Sequence, residues 1–500
     1  MFASITYASP SAFNSTREQS NLSIAASANR PVHFQGKVAR HGFPLRIALR
    51  ALGAAIWSED LWSSEADHAA RVLDPVITVH PDRLWFEAFS QDMSAYCALI
   101  VDPGVFEVVG TPSFGTTNID FTAWLWGALG EMRTSRATYF RVGAEGLEVV
   151  TERAGGRFEQ KVEVPDSWVR GFLQVQGAMG LPGTRLSVRP VDLLAAIRFL
   201  QTNKAKVSPR ALRYELEPGQ AARLLIEPWD HVVALVDATH GYTEKRIIRT
   251  WGRRRLRLIE PLLPFAERVD VYLKGRAMPS FYSVQLPGMT FLLGLSGYAG
   301  AGFGGSAGFD LNTPTPDTVD ADQAVLPVMS SAYHLSTEEV AERTGLSHSR
   351  ASQALVALSY AGRVMYDLEA RRWRHRELFS PPIDVARFYP PDLRREEAQA
   401  LIAGGITNLA VVAEEDRKLR RYFDPQTGEK REKELVFRQW RIQADCGGEH
   451  ASIVVSAEER IIFGQCGCAF FKDHLMARGP CPHMLALFHL SSSSRTEPVT

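Results

Sequence analysis

The chain has 500 residues, 45% apolar and 22% charged; this is too long for a single hydrophobic core, and at about 150 residues per unit it implies roughly three domains. Its 56 basic and 56 acidic side chains balance, which excludes a chain-wide positive field for nucleic acid and fits an ordinary soluble globular composition. The N-terminus, MFASITYASPSAFNSTREQSNLS, lacks the basic segment and continuous apolar core of a signal peptide, and the most apolar later stretch, Met289–Leu295, is too short to cross a bilayer. The expectation is a cytoplasmic protein with no membrane partner. There thiols stay reduced, and clustered cysteines hold metal rather than disulfides.

Residues 1–35 are rich in Ser, Asn and Ala without a clear period and read as a loose tail. Pro44 then opens a helix-prone run in which Leu45, Leu49, Leu52 and Ile56 recur at helical spacing. From Ile77 the rhythm becomes that of strands: ITVH, RLWFEAFS, YCALIVD and FEVVG, separated by short breaks. In FTAWLWGALGEM, Phe121, Trp124, Leu125, Ala128, Leu129 and Met132 lie on one helical face behind Asn118 or Asp120 as cap. A faint internal echo follows. The helices beginning near Asp120 and near Asp192 each lead to Arg-Ala and then a strand hairpin, which makes residues 36–298 a mixed α+β region with a candidate duplication. The cluster Arg253-Arg-Arg255 reads as a solvated edge.

Residues 299–327 are rich in glycine and proline. Gly300 to Gly305 formally matches GxGxxG, but FDLNTPTPDTVDADQ follows where a pyrophosphate site needs a helix N-terminus, so the segment reads as a linker.

Residues 328–385 have a different grammar. Ser336-Thr-Glu-Glu339 is a capping box for a short helix that Gly345 ends; Ser347 caps a second helix, HSRASQALVALSYAG. The run VMYDLEARRWRHREL then reads as two strands around a tight turn. Helix-turn-helix plus hairpin resembles the winged-helix domain. In DNA-binding members the second helix enters the major groove and the wing touches backbone. The resemblance implies base contacts for His348, Ser349, Arg350 and Gln353, and phosphate contacts for Arg371, Arg372 and Arg374. Against this stands the charge: seven arginines face six carboxylates between Ser331 and Ser380, whereas DNA binders carry a basic face.

In residues 386–490, strands broken at Cys446-Gly-Gly-Glu449 and at Ser456 to Arg460 lead to Cys466 and Cys468. Residues i and i+2 of an extended segment share a side, so both sulfurs can face one ion. Cys481-Pro-His483 supplies a second pair, with Cys481 as cap of a terminal helix and His483 in its first turn. Three thiolates and a neutral imidazole suit one closed, structural Zn²⁺ site. Cys446 with His450, and His474, are weaker rivals as ligands, and Cys97 reads as a buried apolar residue.

The order CxC, twelve residues, CxH, after strands and before a helix, resembles the SWIM zinc finger over residues 435–490, as a ββα-like module. Phe470 and Phe471 match the family's aromatic position, while Pro482 stands where lysine is common. The resemblance implies binding of DNA or protein. Likeness to stand-alone bacterial SWIM proteins implies partners of the MoxR-type AAA+ ATPase or von Willebrand factor A kind. With no P-loop, HExxH or GxSxG, the leading expectation is a zinc-binding, non-enzymatic adaptor for protein partners. A DNA-binding protein using the winged helix and finger is the alternative, and an enzyme with an unrecognised site in 36–298 a further one.

Overall fold

In the computed structural model, strands Val76–Val79, Leu84–Phe89 and Ala95–Val101 are buried at every position, which requires that both faces of their sheet be covered. The structure describes residues 4–7, 10–26, 32–57, 75–143, 160–163, 166–180, 183–206, 210–243, 245–274, 278–297, 302–304, 319–379, 393–423, 429–456, 460–474 and 480–491. The chain divides into two units, residues 1–389 and 390–500.

Unit one begins with β1 (Ser4–Tyr7), β2 (Ala12–Ser15), β3 (Gln19–Ala25), β4 (Phe34–Val38), α1 (Gly42–Trp57) and β5 to β7, the three strands named above. There follow β8 (Phe106–Val108), β9 (Gly115–Asn118), α2 (Ala123–Ala128), β10 (Ala137–Gly143), β11 (Gln160–Glu163) and α3 (Asp166–Gly180). Next come β12 (Thr184–Val188), α4 (Pro190–Thr202), β13 (Leu212–Leu216), β14 (Arg223–Ile226), β15 (His231–Ala234) and β16 (Arg246–Thr250). Two 3₁₀ turns then lead to β17 (Arg268–Leu273), β18 (Ser280–Leu286) and β19 (Met289–Leu295).

The central sheet has the order β12-β17-β18-β19-β7-β6-β5-β9. Alternate residues of each strand serve different cores, as the two-residue period demands. Leu84, Phe86 and Ala88 of β6, with Cys97 and Leu99 of β7, join Leu45, Leu49 and Leu52 of α1 and Leu193 and Ile197 of α4. Trp85, Phe89, Tyr96 and Ile100 join Trp168, Phe172 and Leu173 of α3 on the opposite face. The Cys97 thiol, fully buried on the α1 side, is pushed up to about 12 by desolvation.

Several expectations change. Residues 1–35, expected as a loose tail, carry β1 to β3; β3 pairs in parallel with β10, from Gln19 opposite Ala137 to Ala25 opposite Gly143. Leu22 and Ile24 are each 1% exposed, so a segment polar in composition is held by a partner more than a hundred residues away. The internal recurrence also differs in phase. Strand, helix and a three-strand meander occur at β4-α1-β5-β6-β7 and again at β12-α4-β13-β14-β15, so the hairpin expected after α4 forms but its counterpart follows α1 rather than α2; the hairpin expected after α2 falls partly outside the described residues. Arg253 and Arg255 are 7% and 8% exposed rather than solvated. Arg253 donates to the carbonyls of Ala211 and Glu227 and lies over Trp229, and Arg255 pairs with Asp92 at 2.9 Å.

Most of the glycine and proline segment lies outside the described residues, but α5 (Val319–Ala332) starts within it. β20 (His334–Leu335), α6 (Thr337–Thr344), α7 (His348–Tyr360), β21 (Val364–Asp367) and β22 (Arg372–His375) complete unit one. The capping box forms: Glu339 N–H donates to Ser336 Oγ at 3.2 Å, and Ser336 N–H to Glu339 Oε2 at 2.7 Å. Gly345 takes φ +72°, which reverses the chain between α6 and α7. Val325, Met329, Val340, Leu355 and Trp373 form a small core of this segment. The segment is not a separate body: Tyr360, Met365, Leu378 and Phe379 pack into the α3 side of the central sheet.

Among the described residues no helix is long and apolar enough to cross a membrane.

Candidate metal centre

Unit two contains α8 (Leu393–Ala403), β23 (Ile406–Phe423), β24 (Lys430–Cys446), β25 (Glu449–Ser456), β26 (Arg460–Cys466), α9 (Ala469–His474) and α10 (Pro482–Leu490), with sheet order β23-β24-β25-β26. Gly447 and Gly448 at φ +57° and +82° form the two-residue turn between β24 and β25. β25 pairs with β26 so that Ala451 lies opposite Cys466, the last residue of β26.

The chain then curls. Gly467 lies at this point, where a Cβ would fall 2.2 Å from Glu449 Oε2 and turn that side chain aside. Cys468 sits at the start of α9, where Phe471 N–H points at its sulfur, 3.5 Å away. Cys481 caps α10 with φ −74° and ψ 168°, Pro482 occupies the first helical position, and His483 follows in the first turn.

Cys466, Cys468, Cys481 and His483 thus converge, each offering a ligand atom within 4.8 Å of all the others. Cys466, Cys468 and Cys481 are 6%, 9% and 0% exposed. His483 Nδ1 is buried and has no hydrogen-bond partner, a costly state for an imidazole nitrogen unless it meets a cation. A hydrogen bond from Cys466 holds Cys481 below the ordinary thiol range, against burial and assisted by Met484 N–H, and the same bond, with burial, pushes Cys466 well up. Burial lowers His483, which favours the neutral ring that binds metal. The residues fit a tetrahedral metal site in donor type, number and burial.

The surroundings brace the site. Phe470 and Phe471 pack against the unit's core with Leu401 of α8. Arg394 of α8 lies over the Phe470 ring at 5.5 Å and donates to Pro480 O at 3.3 Å, tying together the two ligand-bearing segments. Sequence reasoning missed Arg394, since nothing local connects it to a cluster more than seventy residues on. The rivals are not in this group: Cys446 is 1% exposed in the apolar core, and His450, on β25, has its Nδ1 2.8 Å from Oδ1 of its cross-strand partner Asp445. The side chain of His474 lies outside the described residues.

The structure separates the seven residues expected at DNA. His348, Ser349, Arg350 and Gln353 are exposed together on the first turns of α7, with His348 Nε2 3.3 Å from Glu338. Arg371 is exposed in the β21–β22 turn at φ +52°. Arg372 makes a two-pronged contact with Glu339, at 2.8 and 3.3 Å. Arg374 corrects the expectation outright: it is 3% exposed, bonded to Asp367 at 2.8 Å and to both oxygens of Asp82 at 2.9 and 3.0 Å, and lies over Trp85. Alternation of the strand turns it toward the central sheet, away from any phosphate.

No protein-family model matches the chain, and no curated protein does. Among solved structures, Proliferating Cellular Nuclear Antigen from Entamoeba histolytica is similar at 10% identity and TM-score 0.35, covering 53% of this chain and 99% of its own. The PCNA2-PCNA3 complex from Sulfolobus tokodaii gives 11% and 0.35, and PCNA from Thermococcus kodakaraensis 12% and 0.33, each over 53% of this chain and 99% of theirs. Likeness at this level assigns neither fold nor function. Fold and site together define a mixed α+β protein of two units, the second carrying a Cys₃His cluster able to hold a metal ion.

Proposed function

We propose that the chain is a zinc-stabilised, non-enzymatic adaptor for protein partners, with a SWIM-type finger in its second unit and a winged helix at residues 328–385. The observation that carries this reading is the convergence of three buried thiols and an unpartnered imidazole nitrogen at one point. Cys466, Cys468, Cys481 and His483 would hold Zn²⁺; four protein donors leave no position for water or substrate, which is the signature of a structural centre. Bound there, zinc supplies a cross-link between the end of β26 and α10, on the order of 10 kcal/mol of folding free energy for a small site. The resemblance to bacterial SWIM proteins points to a MoxR-type AAA+ ATPase or a von Willebrand factor A protein as partner. The test is co-purification of such a partner with tagged full-length protein and its loss with Cys468→Ser. A partner set unchanged by the substitution contradicts the role given to the finger.

A second reading, DNA binding through α7, is favoured by the joint exposure of His348, Ser349, Arg350 and Gln353. It requires that Arg350→Ala with Gln353→Ala weaken binding to a duplex. Equal binding by the variant removes it.

A further inference from the structure

In unit one, the connection from β4 into α1 and the connection from α2 into β10 meet around a cleft of about 140 Å³. β4 and β10 pair antiparallel with Lys37 opposite Tyr139, and the same register sets Val38 beside Thr138 where the pairing ends. Both residues line the cleft, together with Met132 and Phe43. Arg46 of α1 donates to Met132 O at 2.8 Å and lies over the Phe43 ring, which ties the two walls together.

Every ionisable side chain that lines the cleft is basic: Arg40 and His41 from the first connection, Arg133 and Arg136 from the second. Although the chain as a whole has no net charge, no carboxylate stands among them. Arg136 donates to the neutral Ser15 Oγ at 2.7 Å, and Arg40 and Arg133 have no side-chain partner among the described residues. Three guanidinium groups without a counter-charge give the cleft a positive potential that an anion neutralises. An uncharged group points to the same space. Thr138 is 5% exposed and lines the cleft, yet its hydroxyl has no hydrogen-bond partner among the described residues, a costly state unless a ligand meets it. The first backbone bond of α1 runs from Leu45 N–H to His41 O at 3.0 Å. The N–H groups of Gly42 and Phe43, whose residues also line the cleft, therefore have no helical acceptor.

We infer that this cleft binds the phosphate of a phosphomonoester. Guanidinium forks match phosphate oxygens in geometry and charge, and the Thr138 hydroxyl supplies a donor from the floor. The cleft is much smaller than the ~300–1,000 Å³ of a pocket for a whole organic ligand, so it holds the phosphate alone. The rest of the ester has a place beside it: a wider groove of about 600 Å³ shares Arg136 and is lined by Phe13, Thr16 and Arg17. Glu131 stands in that groove and not in the cleft, which disfavours a second phosphate there and favours a monophosphate. The site lies wholly between Phe13 and Thr138, apart from the metal cluster and from α7, and stands without the adaptor reading.

The test is titration calorimetry of zinc-replete full-length protein with inorganic phosphate and with glycerol 3-phosphate, chloride being adjusted to keep the ionic strength constant. Both should bind at one site per chain, the ester at least as tightly as the free ion, and glycerol should not bind. Arg40→Gln with Arg133→Gln changes two exposed side chains, so the fold and the thermal midpoint should be kept while both affinities fall about tenfold or more. Thr138→Val preserves the shape of the side chain and suits a strand. It should weaken the ester about three- to tenfold, with an unliganded thermal midpoint at or above wild type. Absence of binding at millimolar phosphate, or affinities unchanged by the double variant, overturns the inference. So does a response to acetate equal to that to phosphate, or binding of phosphate without binding of the ester. Wild-type binding to duplex DNA or to phosphatidylserine vesicles without binding to either phosphate compound overturns it as well.

Discussion

Arg376 and Glu87, 289 positions apart in sequence, form an ion pair in which both side chains are fully buried, with Nη1 2.8 and 2.9 Å from the two carboxylate oxygens. Tyr96 donates to the same carboxylate at 2.7 Å, and the guanidinium lies over Phe172. The pair fastens the segment after β22 to the central sheet. Arg376→Leu leaves a buried carboxylate without its cation and should cost about 3–5 kcal/mol. Adding Glu87→Leu should recover most of this, because an apolar pair replaces a buried ion pair at little net cost. Urea unfolding followed by tryptophan fluorescence checks both; a double variant as unstable as the single one contradicts the assignment.

His80 gives the same contact a pH dependence. Its Nε2 lies 2.7 Å from His375 O, and burial first, then the charge of Arg374, lowers its pKa from 6.5 to about 4 against the opposing pull of that hydrogen bond and of Asp82. The folded value lies below the unfolded one, so the unfolded chain takes up the proton first. The stabilisation is complete above pH 6.5 and is lost as pH falls toward 4, by up to about 3 kcal/mol. His375, also lowered by burial, acts in the same direction. His80→Gln should flatten the fall in urea midpoint across this window; an unchanged profile contradicts the role.

Close approach of α3 to α7 depends on Gly177. A Cβ there would fall 2.4 Å from Tyr360 Oη and 2.8 Å from its Cζ, and Tyr360 is 3% exposed. Gly177→Ala should destabilise unit one by about 1–3 kcal/mol, although alanine favours a helix by about 1 kcal/mol. Tyr360→Phe in that background should restore part of the loss. Thermal denaturation of the three variants measures it.

The metal cluster was legible because a metal site fixes ligand types at short spacings, and CGC and CPH each lie within one turn of chain. The α6–α7 pair was legible for a similar reason: Ser336, Glu339, Gly345 and Ser347 are local signals with local mechanisms. Distance hid the rest. Nothing near Leu22 announces a parallel partner at Phe140, so residues 1–35 read as a tail. Glu87 in LWFEAF and Arg376 in RWRHREL each look like a solvated charge until the fold brings them together. The same holds for Arg374, where a wing-like pattern gave the residue type correctly and its environment wrongly. Arg253 shows the converse, an apparent surface cluster spent on buried carbonyls.

The zinc content of full-length protein, measured beside Cys468→Ser and followed by limited proteolysis of both, bears most directly on the proposed centre. One zinc per chain in the wild type is expected, with loss of metal and new cleavage confined to residues 390–500 in the variant. A wild-type protein free of zinc after reducing, chelator-free preparation, or a variant that keeps both its zinc and its protease resistance, would contradict it.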